Sequence, residues 1–342
     1  MRKVIFIALI FGIFGMAVWG IADLPQKAPE KVNGLSFVAP RDSFSSDVID
    51  PILATNANFG AVIPYAFMRT IDSDSLFYNR QRQWWGERPV GAKHNLKLFN
   101  ANGIKTMLKP QIWIGRGAYT GDINFNTERE WLAFEKAYSE YILDFAKIAA
   151  EEQADLFCIG TELHNFVRNR PDYWQQLILE IRKIYPGQLT YAANWDEYKS
   201  VSFWEQLDYI GIDAYFPLSD KKHPDRATLK NAWDRIKSTL NYWSNQHNKP
   251  ILFTEYGYIS ADYAAREPWK NAHDSIAVNL KLQAELYEAL YENLWSEDWF
   301  AGGFFWKWHS ETGRRSLIKR FTPQEKPALE VIKHYYNYHK TE

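Results

Sequence analysis

Two periods of apolar and polar residues alternate along this chain. Short, continuous apolar runs closed by Gly or Pro have the pattern of strands buried on both faces. Between them lie longer segments whose apolar residues recur every three or four positions, the pattern of helices with one buried side. Strands are predicted at about 34–39, 60–68, 104–108, 155–161, 189–193, 209–214, 250–255 and 302–306. Helices are predicted near 47–57, 92–101, 128–152, 202–206, 227–246, 275–294 and 326–336, with one more opening at Pro171 and closed by Pro186-Gly187. Asn102-Gly103 ends the second helix, because these residues adopt the left-handed cap most readily. Trp131, Phe134, Tyr138, Tyr141, Ile142 and Phe145 fall on one side of the long helix. Eight strands, each followed by a helix, predict an α/β fold with a parallel sheet, closed as a single-domain (β/α)8 TIM barrel. No Gly-x-Gly-x-x-Gly follows the first strand, which argues against a dinucleotide-binding open sheet.

Ahead of this pattern, Met1-Arg2-Lys3 precedes an almost wholly apolar run from Val4 to Ala22. Two charges and an apolar run predict an export signal over residues 1–22, with Gly20-Ile21-Ala22 as a small-x-small cleavage site. Uncleaved, residues 4–22 would attach the protein to a membrane. Residues 23–32 form the expected linker and 33–342 the catalytic barrel. The expected location is outside the cytoplasm: periplasmic, extracellular, or anchored and facing out.

Composition adds three points. The chain has 342 residues and a net charge of −1, which gives no reason to expect a nucleic-acid partner. It carries 15 Trp, 20 Tyr and 21 Phe, enough for an aromatic core and for rings that stack on the apolar faces of sugars. Its single cysteine, Cys158, sits inside a predicted strand and fits a small buried hydrophobe, and its eight His follow no metal-ligand spacing. Neither a metal nor a cofactor is expected.

Candidate chemistry comes from what each strand ends on, since the active site of such barrels lies at the carboxyl face. Asp155-Leu-Phe-Cys-Ile-Gly-Thr-Glu162 and Pro250-Ile-Leu-Phe-Thr-Glu255 are both apolar runs closed by a carboxylate. The other strands end on Arg69, on Lys109, Gln111 and Trp113, on Asn194 and Trp195, on Asp213 and Tyr215, and on Trp306, and these are the expected substrate-binding residues. Paired carboxylates are what retaining glycoside hydrolysis uses, one as acid/base and one as nucleophile, about 5–5.5 Å apart. Glu162 is the expected acid/base and Glu255 the expected nucleophile, kept charged by Arg69 and Tyr215. Trp306 is the expected apolar floor under the sugar. Lys109, followed by Pro, also fits a structural cap of the barrel rim. Trp84-Trp85 also fits a sugar platform in the loop after strand two.

The runs Met107-Leu-Lys-Pro-Gln111, Asp155–Leu163, Leu189–Glu197, Leu207–Pro217 and Thr254-Glu-Tyr-Gly257 together resemble glycoside hydrolase family 113, in clan A of the retaining (β/α)8 hydrolases. The likeness runs from the first strand to Lys326-Pro-Ala. It implies an endo-acting β-1,4-mannanase on mannan, glucomannan or manno-oligosaccharides, with the acid/base carried onto Glu162 and the nucleophile onto Glu255. The chain departs from the wider clan at Thr161, where many members carry Asn, and at Gln111, where much of the family carries His. An exo-acting β-mannosidase, another β-glycan hydrolase, or a non-catalytic sugar-binding barrel are the alternatives.

Overall fold

The computed structural model describes residues 30–311 and 317–338. The expected signal or anchor over 1–22, and most of the expected linker, lie outside the described residues. Lys31 and Val32, at the linker's expected end, belong to the barrel. Val32 opens the first strand, and the buried Lys31 ammonium donates to the carbonyls of Glu297, at 2.6 Å, and Phe300. No helix among the described residues is long and apolar enough to cross a membrane.

The strands are β1 (Val32–Phe37), β2 (Phe59–Val62), β3 (Tyr65–Met68), β4 (Lys105–Leu108), β5 (Gln111–Ile114), β6 (Leu156–Thr161), β7 (Gln188–Asn194), β8 (Ile210–Asp213), β9 (Ile251–Tyr256) and β10 (Phe300–Trp308). The helices are α1 (Ile49–Leu53), α2 (Pro89–Ala101), α3 (Glu128–Glu151), α4 (His164–Asn169), α5 (Pro171–Ile184), α6 (Arg226–His247), α7 (Leu280–Leu294) and α8 (Pro327–Tyr338). Eight strands close a parallel barrel in the order β1-β10-β9-β8-β7-β6-β4-β2. The chain is therefore a (β/α)8 barrel.

The pattern predicts one strand over 60–68, but the structure has two. Pro64 has no N–H to give to a ladder, and the run breaks there. Pro110 breaks the neighbouring run at the matching level, and β3 and β5 leave the barrel as a separate parallel pair, Tyr65 opposite Gln111 and Phe67 opposite Trp113. Gln111 N–H still donates to the Pro64 carbonyl at 2.9 Å, so the pair stays tied to the barrel mouth. The helix predicted over 47–57 is only the short α1, preceded by a 3-10 turn at Ser46–Val48. The helix predicted from 275 starts at Leu280, leaving a long loop after β9.

Several helix ends follow from local chemistry. Thr127 caps α3, accepting from Glu130 N–H while the Glu130 carboxylate accepts from Thr127 N–H at 3.0 Å. Proline sits in the first turn of α2 and of α5, where no hydrogen bond is lost. Gly103, at φ +72°, supplies the left-handed residue after α2.

Alternation along the strands sorts the apolar residues into two sets. One set fills the barrel interior: Phe59, Met107, Leu156, Cys158, Leu252 and Phe304 among them. The other packs strands against helices. Gly34 leaves room for the Phe304 ring, with which any Cβ there would collide. Phe304 is thus one of the rings that fill the barrel interior. Phe304→Ala is expected to destabilise the fold by about 3–5 kcal/mol, read by denaturant unfolding. A loss near zero would mean that Phe304 does not fill the interior.

Candidate active site

β8 and β9 lie side by side with Asp213 opposite Glu255 in register. The ladder shifts register at Thr254, just before Glu255 on β9, and its hydroxyl donates to Asp213 Oδ1 at 2.7 Å. Lys109, the first residue past β4, extends across the barrel mouth. Its ammonium lies 2.6 Å from Glu255 Oε1 and 3.0 Å from Asp213 Oδ1, fully buried. Gln111 Nε2 donates to Glu255 Oε1 at 2.8 Å, and Tyr215 OH donates to Oε2 at 2.8 Å. Glu255 is buried, and three donors, one of them a cation, converge on its two oxygens.

The network's electrostatics are those of one cation between two carboxyls. Burial works against the Lys109 charge, but Asp213 and Glu255 outweigh it and hold the ammonium above its ordinary value. Burial, then the neighbouring Glu255, push Asp213 up to about 7 against the pull of Lys109 and Thr254. Asp213 Oδ2 is buried without a hydrogen-bond partner among the described residues.

Glu162 follows the last residue of β6 and has φ +51°, a left-handed conformation rare for a residue with a side chain. Three hydrogen bonds hold it there. Its N–H donates to Ala192 O at 2.8 Å. Its carbonyl accepts from Thr120 Oγ1 at 3.0 Å, and the next N–H, of Leu163, donates to Tyr191 OH at 2.7 Å. This turn aims the carboxyl into the cleft, where it makes no hydrogen bond to a described residue. Burial, then the charges of Asp213 and Glu255, raise its pKa well above the usual carboxylate range.

Glu162 and Glu255 line the same cleft, of about 870 Å³, at the carboxyl face of the barrel. Gln111, Trp113, Asn194, Trp195, Tyr215 and Trp306 line it with them. Lys109 and Asp213 lie beneath the cleft floor rather than in its wall. Lys109 and Asp213, expected to touch substrate, therefore do not line the cleft, and Lys109 is not a rim cap either but the centre of the buried network.

Arg69 does not join the site. It is exposed, lies over the Phe77 ring at 5.6 Å from its centroid, and lines no part of the cleft. The reason is the break at Pro64: Arg69 follows β3, which has left the barrel, and Tyr65 at the start of β3 is the residue that reaches the cleft. The Glu255 partners are Lys109, Gln111 and Tyr215. Trp84 is exposed and lies outside the cleft, while Trp85 packs against Phe44 and His94.

Other lining residues come from loops. Trp269 stacks on Trp195 with ring centroids 5.6 Å apart, and Asn271 lies two residues on. Tyr119, beside Thr120, donates to Glu197 Oε2 at 3.1 Å. Burial pushes Glu197 up to about 7. Lys307, Arg320 and Phe321 line the side beyond Trp306. A second hollow, at the opposite rim, is lined by Phe59, Lys105, Gln153 and Asp155, and the Asp155 carboxylate there is engaged by Thr106 N–H at 2.8 Å. Among the described residues no cluster of His, Cys, Asp and Glu could hold a metal ion.

The model of Glycoside Hydrolase Family 113 matches residues 39–320. No curated protein matches the chain by sequence. Among solved structures, the GH113 β-mannanase AaManA from Alicyclobacillus acidocaldarius, in complex with ManMIm, superposes with a TM-score of 0.80 at 24% identity, over 91% of this chain and 98% of that one. A GH113 β-1,4-mannanase superposes at 0.79 with 25% identity, over 90% and 99% of the two chains. A Faecalibacterium prausnitzii β-glucuronidase shares the fold at 0.61 and 17% identity, over 91% of this chain and 49% of that one.

A carboxyl that holds its proton more tightly when folded stabilises the fold at low pH, and that stability is lost as pH rises through its folded pKa. Glu162 is such a group. Glu162→Gln is therefore expected to gain stability over the wild type at pH 8, with the gain vanishing toward about pH 4, the unfolded carboxylate value. Denaturant unfolding at both pH values checks it; a variant no more stable at pH 8 than at pH 4, relative to wild type, contradicts the assignment.

Proposed function

The chain belongs to glycoside hydrolase family 113, and from that premise we propose that it is a retaining endo-β-1,4-mannanase working by double displacement. The observation that carries the reading is the difference between two carboxyls in one cleft. Glu162 is pushed toward its protonated form and makes no hydrogen bond to a described residue that would hold it charged. Glu255 is fixed by three donors, Lys109 among them.

In the first step Glu162 gives its proton to the glycosidic oxygen while Glu255 attacks the anomeric carbon. The leaving chain departs with that proton, and the sugar is left as an ester on Glu255. Glu162, now ionised, takes a proton from water. The hydroxide equivalent attacks the same carbon, breaks the ester and returns the original anomer. Trp306, half-buried in the cleft wall, offers an apolar face to the sugar as positive charge develops on its ring. Trp113, more than half exposed, and the Trp195–Trp269 stack offer flat faces for neighbouring sugars. Rings spread along the cleft favour internal cuts in a chain over removal of one terminal sugar. The mannanases among the structural neighbours support mannan as the substrate.

Residues 4–22 would direct the enzyme out of the cytoplasm or hold it on the membrane, where polymeric mannan is met.

On mannan, Glu162→Gln and Glu255→Gln are each expected to lose about 10²–10⁴-fold or more in turnover. The first product from mannohexaose, followed by NMR, should be the β-anomer, and the product mixture should hold several oligosaccharide lengths. Near-wild-type turnover in either variant would remove the mechanism, and release of mannose alone would replace endo with exo action.

A further inference from the structure

The cleft wall beyond Trp306 carries two cations that the neutral-glycan reading does not use. Lys307 is half-buried, with its ammonium 5.0 Å from the Trp306 ring centroid. Arg320 is exposed on the same wall. Neither side chain forms an ion pair or a hydrogen bond with a described residue. This is unlike Lys109, whose charge is matched twice over. Glu255 is within electrostatic reach of Lys307 but already has Lys109, Gln111 and Tyr215 on its oxygens. Burial lowers the Lys307 pKa, Glu255 opposes that, and Arg320 adds to it. Two like charges facing one partly desolvated wall is an unfavourable arrangement that a bound anion would relieve.

We propose that the subsite over Trp306 and beside Lys307 and Arg320 takes a sugar bearing a negative group. The group would be a hexuronate carboxylate or a sulfate ester on the glycan. The inference rests on the glycosidase reading and narrows its substrate class. A β-1,4-linked mannuronate is the uronate closest to mannose, because it differs only in carrying a carboxylate at the exocyclic carbon.

The test measures binding to the Glu162→Gln protein by calorimetry, so it does not depend on turnover. Three oligosaccharides of equal length are compared: neutral β-1,4-mannan, β-1,4-mannuronan and a sulfated β-1,4-mannan. At least one charged ligand should bind about tenfold tighter than the neutral one or better, as a charge-assisted hydrogen bond provides. Which of the two does so separates the carboxylate from the sulfate. Adding Arg320→Gln or Lys307→Met should cut the charged-to-neutral preference by about tenfold. Raising salt from about 0.05 M to about 0.5 M should erode it in the protein that keeps both cations. Equal or tighter binding of the neutral chain, or a preference that neither substitution nor salt changes, overturns the proposal. That result would leave the glycosidase reading intact, whereas near-wild-type hydrolysis by Glu162→Gln would remove that reading and leave the binding preference standing.

Discussion

A single buried ammonium organises the mouth of this barrel. Lys109 sits between Asp213 and Glu255 with no exposure to water. Removing such a group from water costs several kcal/mol, recovered only when opposite charges and hydrogen bonds surround it. Here they do, on both sides. The arrangement also constrains the carboxylates: one cation cannot neutralise two anions, so proton affinity rises where donors are fewest. That place is Asp213, with a buried oxygen left unpartnered among the described residues, and beyond it Glu162, whose carboxyl has no donor among them. Glu255, with three donors, is the group the network serves.

The barrel makes this geometry inexpensive to hold. Asp213 and Glu255 are neighbours in strand register, and Thr254 is tied to Asp213 through the strand on which Glu255 stands. Lys109 follows directly on β4, so only its flexible stem must cross the mouth. Glu162 is placed differently, by a left-handed residue pinned at its own N–H, its own carbonyl and the next N–H. Such strain persists only where the surroundings over-determine it, and it is commonest at working sites. One carboxyl is thus fixed through its side chain and the other through its backbone. On the proposed mechanism that division is apt, since the acid/base must exchange protons with the leaving group and with water.

Much of this was legible in the amino-acid sequence, and the parts that were not have physical causes. Buried parallel strands give continuous apolar runs, so the eight barrel strands and both glutamates could be placed from pattern alone. Pro64 and Pro110 were visible too, but the pattern does not show that matching breaks let β3 and β5 leave the barrel together. Reading through Pro64 put Arg69 at the barrel mouth, where Tyr65 stands instead. Lys109 and Asp213 read as substrate contacts, with a rim cap as the other reading of Lys109, because the two lie on strands far apart in the chain and spacing cannot reveal such a pair. Trp269, Tyr119 and Glu197 come from loops or turns without periodicity, and only the folded chain brings them near the cleft. Lys307 was hidden beside Trp306, whose ring alone carried the reading of that strand end.

Chemical trapping at the nucleophile tests the roles of Glu255 and Lys109 together. A 2-fluoro mannoside with a good leaving group slows breakdown of the ester more than its formation, and digestion with mass spectrometry then locates the labelled residue. One sugar per chain is expected, carried on the peptide that contains Glu255, with much slower labelling in Lys109→Met. A label on Glu162, or full activity with no covalent sugar at any carboxylate, would contradict those roles.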